Sequence, residues 1–228
     1  MSNLDHFKVW TVRKVPFVRR VKLKGQFDRE AWIATLEYIK YIANPVRKND
    51  EPIHDSKTHL VGYFLRILEK PQPRRWVKIS NQFTQGEQWH LGNPTFLLLP
   101  AGKTFANEPP KIPDGQVDHF LCYVVRDGTA KRKSITLEDQ FDLKLKRKEK
   151  ILRIKPAFFG VPVQKNNEPL KNPEAHLAFY EIAPRRSLKP PLPPITVLTR
   201  DQLRRSLLKV QESIFLALPS NKMDWGQE

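Results

Sequence analysis

The sequence predicts an all-β fold, an antiparallel sandwich or barrel-like pair built from four related units in two pseudo-symmetric halves. Three observations carry this. One strand-like motif recurs four times, each time followed by the same two companions in the same order. The recurring segments are rich in β-branched and aromatic residues and lie between turn signals. Twenty prolines against nine glycines work against long helices, because proline removes an amide donor and breaks helix interiors.

The first element begins at a histidine. His6-Phe7-Lys8-Val9-Trp10 aligns with His59-Leu60-Val61-Gly62-Tyr63, His119-Phe120-Leu121-Cys122-Tyr123 and His176-Leu177-Ala178-Phe179-Tyr180. Each copy has an apolar residue after the histidine and an aromatic four positions on, which predicts four equivalent strands anchored by Trp10, Tyr63, Tyr123 and Tyr180. The second element is a short alternating strand before a glutamine: Val21-x-Leu23-x-x-Gln26, Val77-x-Ile79-x-x-Gln82, Ile135-x-Leu137-x-x-Gln140 and the degenerate Val197-x-Thr199-x-x-Gln202. The third is an apolar run closed by Pro-x-x-Lys, at Pro45, Pro100, Pro162 and Pro219. It predicts strands buried on both faces, ended where proline cannot pair. Apolar spacing at 28–41 and 199–210 also fits a helix. The homologous stretches of units two and three do not, so strands or irregular structure are expected there too, with roughly twelve or more short strands in all.

Units one and three resemble each other most. Asp5 and Asp118 precede the first histidines, and Pro45 to Ile53 parallels Pro162 to Leu170. The chain therefore divides into a first half, 1–103 (units 1–53 and 54–103), a proline-rich joint at 104–116, and a second half, 117–228 (units 117–170 and 171–228). A unit of this size buries its own apolar face poorly, so the units should depend on one another.

A single cysteine, Cys122, excludes an intrachain disulfide. With no export signal and no long apolar window, this sets a cytoplasmic expectation without a membrane partner. Forty cations against 24 carboxylates give a net charge of +16, a field that concentrates anionic partners. No nucleophile elbow, zinc-protease, dinucleotide or phosphate-loop motif is present, so nothing supports an enzyme. Repeat-equivalent residues are held apart by the repeat itself. The four histidines are therefore read as structural rather than as metal ligands, and no cofactor is implied. Gln26, Gln82, Gln140 and Gln202 are assigned to satisfying backbone groups at a bend.

Positive charge is the functional signal. The segment 144–155 reads as an alternating strand presenting Lys144, Lys146, Lys148 and Lys150 on one side, with Arg153, and Arg74 and Arg75 as a further cluster, completing the candidate contacts. Arg19, Arg20, Lys22 and Lys24 add a third. Three readings stand together: an edge strand protected by lysines, phosphate neutralisation in a nucleic-acid-binding protein, and capture of an acidic peptide by strand addition or in a groove.

The run from Asp118-His119-Phe120 through Asp139-Gln140-Phe141 and Val161-Pro162-Val163 to Ala175-His176-Leu177 resembles an uncharacterised repeat domain common in secreted proteins of myxobacteria. Those proteins usually carry cysteines where Phe159 and Phe179 stand here, so their loss implies a cytoplasmic relative. The basic, two-half form is also similar to the accessory proteins of the crocagin ribosomal-peptide pathway. That resemblance implies a non-catalytic protein that binds an acidic precursor or leader peptide. A biosynthetic enzyme is then a further candidate partner and a homodimer a candidate assembly. Nucleic-acid binding through a basic β surface is the alternative, and a purely structural interaction protein the second.

Overall fold

The computed structural model describes residues 4–67, 74–108, 110–114, 117–184 and 193–227. Among these lie eleven strands and one short helix. In chain order they are β1 (Phe7–Gly25), β2 (Trp32–Lys48), β3 (His59–Ile67), β4 (Arg75–Asn81), β5 (Thr84–Thr104), β6 (His119–Val125), β7 (Lys131–Asp139), α1 (Gln140–Lys144), β8 (Glu149–Lys165), β9 (His176–Pro184), β10 (Ile195–Arg200) and β11 (Arg205–Gln227). The number falls short of twelve because strands run on where separate short ones are expected. In unit one the first and second elements are a single strand, β1.

All eleven strands belong to one antiparallel sheet. The histidine-led strands and the Pro-x-x-Lys strands alternate and close on themselves in the order β1, β2, β3, β5, β6, β8, β9, β11 and back to β1. Each unit contributes two neighbours, so the ring passes through both halves. Period-two alternation then sorts the side chains. Residues one and three after each histidine point into the ring, where Phe7, Val9, Leu60, Phe120, Cys122, Leu177 and Phe179 pack with Tyr41, Phe96 and Phe215. The interior is filled by trading large for small. A Cβ on Gly62 would lie 2.8 Å from Tyr41 Cβ, and one on Gly160 would meet Phe179 at 3.1 Å.

Residues two and four after each histidine face outward into a second, larger core formed by the alternating strands of the second element. Trp10, Tyr63, Tyr123 and Tyr180 all lie there, fully buried. Each reaches the unit two places along. Trp10 Nε1 donates to Asp139 Oδ2 (2.7 Å), Tyr63 to Asp201 Oδ2 (2.7 Å) and Tyr180 to Asn81 Oδ1 (3.3 Å). Asn81, Asp139 and Asp201 each immediately precede the motif glutamine. In unit one that position is Gly25, and the Tyr123 hydroxyl finds no partner among the described residues. The units are thus tied crosswise, one to three and two to four.

The joint at 104–116 falls partly outside the described residues, at Pro109, Gly115 and Gln116. Within it, the Lys111 carbonyl crosses so close to Gly102 that a Cβ there would sit 1.9 Å from it.

Candidate binding surface

Units one and three build the same polar clasp twice. Asp5 accepts backbone N–H bonds from His54 and Asp55 (2.8 and 2.7 Å), and Asp118 accepts them from Lys171 and Asn172 (2.9 and 2.7 Å). His6 Nε2 lies 2.8 Å from Glu51, and His119 Nε2 lies 3.1 Å from Glu168. Lys48 and Lys165 close each cluster on the same glutamates. Asn49 and Asp50, like Asn166 and Asn167, adopt positive φ, which Asn and Asp tolerate better than most residues. Burial lowers the His6 and His119 pKa values. For Glu168, burial acts to raise the pKa, but Lys165 and His119 outweigh it and hold the carboxyl at about 2. Gln140 and Gln26 complete the loops by donating to the Ser56 and Pro173 carbonyls. These groups hold loops in place.

The expected cationic strand at 144–155 is not one element. Asp139 accepts from the amides of Phe141 and Asp142, both at 2.9 Å, and Asp142 returns a bond to the Asp139 amide. This capping box starts α1. Lys146 turns the chain at φ 50, and strand pairing resumes only at Glu149. A period-two reading of the segment fails because Lys144 ends α1 and residues 145–148 form the turn that follows it. Lys144, Lys146, Lys148, Lys150 and Arg153 are all exposed. Lys148 is 2.8 Å from Asp50, and Lys144 lies over the Phe105 ring at 4.7 Å. Arg74 is exposed, whereas Arg75 is only 2 % exposed and packs over Phe27 and Tyr123 beside Asp28. Arg75 is thus a core residue and is removed from the candidate contacts.

Beneath α1 lies a buried polar network that the sequence analysis missed. Lys8 is fully buried, 2.6 Å from Asp142 and 2.5 Å from Glu149. Ser213 donates to Glu149 (2.8 Å) and Arg147 to Asp142 (3.0 Å). Asp139 also accepts from Asn44, which accepts from Lys103, so all four units contribute. Burial, followed by the Asp139 carboxylate, pushes Asp142 up to about 6. Burial likewise acts to raise Glu149, but Lys8 and Ser213 hold it low. The Lys103 amine is pushed down to about 7 by burial, against the pull of Asp139. One signal could have found Lys8: it occupies the position held by Val61, Leu121 and Ala178 in the other copies.

The network fixes α1 against the closing loop of unit one, and a groove of about 320 Å³ remains between them. Pro45, Pro52, Ile53 and Leu143 give it apolar walls, while Ser56, Gln140, Asp139, Glu138 and Arg47 supply polar groups. Leu143 is 57 % exposed, unusual for a leucine anchored by so rigid a support. Among the described residues no group of three or more metal-binding side chains comes together, and no helix is long and apolar enough to cross a membrane.

The chain matches a repeat of unknown function (DUF7450) over residues 59–218, well over half its length. It belongs to this family. The DUF7450 match begins at the histidine of unit two and ends in the last ring strand of unit four, in keeping with the repeat read from the sequence. No curated protein and no solved structure gives a significant match.

Proposed function

We propose that this DUF7450 protein is a non-catalytic accessory protein that binds an extended, acidic precursor peptide. The observation that carries the reading is the groove between the unit-one loop and α1, apolar in its walls and set among exposed cations. An apolar peptide side chain enters beside Leu143, and flanking acidic residues meet Arg47, Lys144, Lys146 and Lys150. Rim charges of this kind act mainly on the association rate and its salt dependence, and a buried apolar contact acts on dissociation. The likeness to the peptide-binding accessory proteins of the crocagin pathway supports the same partner class.

The test is fluorescence anisotropy with an acidic, leucine-containing peptide at about 0.15 M salt, where screening is physiological. Leu143→Asp should speed dissociation, whereas reversing Lys144, Lys146 and Lys150 to glutamate should slow association and flatten its salt dependence. Unchanged binding in both folded variants would overturn the proposal.

A further inference from the structure

A second basic surface lies away from the groove. From Arg13 to Lys24 the chain carries six cations and no carboxylate. Ladder partners share a face, so the register arranges this surface across β1, β2 and β3. Lys22 is opposite Ile33, and Arg20, Thr35 and Arg66 form one row. A bulge lies between Leu36 and Tyr38. Beyond it, Tyr38 stacks on Phe64 with ring centroids 4.9 Å apart and an interplanar angle of 13°. Lys14 sits 4.0 Å above the Tyr38 ring. Neither aromatic ring is part of the buried core, and Ile33 is 46 % exposed.

Charge compensation is partial on both basic surfaces. Lys148 and Arg147 have carboxylate partners. Lys14, Arg20 and Lys22 are exposed and form no ion pair among the described residues; only Arg66 is engaged, by Glu37 at 2.9 Å. Arg20 and Lys22 are two residues apart, a spacing of about 6.6 Å along the strand, so they present charge as a line. This surface offers side chains and not backbone, because β2 is hydrogen-bonded on both sides, to β1 and β3. Strand addition by a peptide is therefore closed at its centre. Cations in a row beside stacked aromatics are the combination that tracks a phosphate backbone while accepting bases of any sequence.

We infer that the exposed face of β1–β2–β3 binds single-stranded nucleic acid, with phosphates along Lys14, Arg20 and Lys22 and a base against the Tyr38–Phe64 stack. The probe is a labelled thymidine oligonucleotide of about 12 residues, a length in the range that single-strand sites cover. It should bind with a steep salt dependence. Arg20→Ala with Lys22→Ala should lower the slope of log K against log salt by about 1.4, two phosphate contacts for a single strand. Tyr38→Ala should weaken binding about 5- to 150-fold, the loss of one stacked base, while Tyr38→Phe keeps it.

The Lys144, Lys146 and Lys150 reversal, which tests the peptide groove, should leave most oligonucleotide affinity in place, so the two proposals fail separately. Three results would overturn this one: a double alanine variant with an unchanged slope, loss confined to the Lys144 set, or a polyglutamate peptide that binds as tightly and responds to the same variants.

Discussion

Three tyrosines at equivalent positions differ in what their hydroxyls meet, and Tyr→Phe substitutions isolate that difference. Tyr63 donates to the Asp201 carboxylate at 2.7 Å, a carboxylate that also accepts the backbone amides of Leu203 and Arg204. Losing a hydrogen bond to a charged group costs about 1.5–3 kcal/mol, so Tyr63→Phe should fall in that range. Tyr180 shares its hydroxyl with the neutral Asn81 amide at 3.1 and 3.3 Å, for which about 0.5–1.5 kcal/mol is expected. Among the described residues the Tyr123 hydroxyl has no hydrogen-bond partner, because Gly25 stands where the other units have Asn or Asp. Its removal relieves a buried, unsatisfied group, and Tyr123→Phe should be neutral or stabilising by up to about 1 kcal/mol. Urea denaturation at pH 7, with unchanged m-values, reads all three. The order Tyr63, Tyr180, Tyr123 is the prediction. A Tyr123→Phe cost equal to that of Tyr63→Phe would show that the crosswise tie does not depend on the residue before the glutamine.

Asp139→Ala removes the α1 cap and leaves the Trp10 and Asn44 donors unpaired, so it should cost about 3–5 kcal/mol by summed cap and hydrogen-bond terms; Asp139→Asn should recover part of that in the same urea assay. His6, His59 and His119 each have a buried Nδ1 with no hydrogen-bond partner among the described residues, and burial lowers the pKa of each. The unfolded chain then binds protons that the folded chain refuses. Stability should fall as pH drops below about 6.5, with each group contributing at most about 1.4 kcal/mol per pH unit, and urea midpoints between pH 7 and 5 measure the fall. Lys103→Met removes an amine whose charged form burial disfavours, so it should stabilise by about 1–3 kcal/mol at pH 6. Because wild-type stability rises between about 7 and the amine's ordinary 10.5, that gain should shrink across the window in melts taken from pH 6 to 9. Gly62→Ala places a methyl against Tyr41 inside the ring and should cost about 1–3 kcal/mol.

The repeat was legible in the residues because each copy must satisfy the same alternation. One position after the histidine fills the ring and four positions after it fills the outer core, so the pattern His-apolar-x-x-aromatic survives every divergence. At 28–41 and 199–210, where helix competed, the comparison of copies agrees with strands β2, β10 and β11, but the copy in unit three departs from it, since its capping box forms α1 at Gln140–Lys144. The exposure of the cations at 144–155 agrees with the usual preference of lysine and arginine for solvent, a preference that Lys8 and Arg75 break.

What the sequence could not supply is everything that depends on which unit meets which. Ring closure joins residue 7 to residue 217, and no local periodicity encodes a contact at that separation. The crosswise bonds from the anchoring aromatics to Asp139, Asp201 and Asn81 arise only once the ring sets each unit opposite the one two places on. Lys8 reads as a surface lysine until closure places Asp142 and Glu149 beneath it. Arg75 reads as an exposed neighbour of Arg74 until pairing with β5 turns it inward. The groove at Leu143 has the same origin. Its two walls come from units one and three, and a cavity between distant segments exists only after tertiary packing has brought them together.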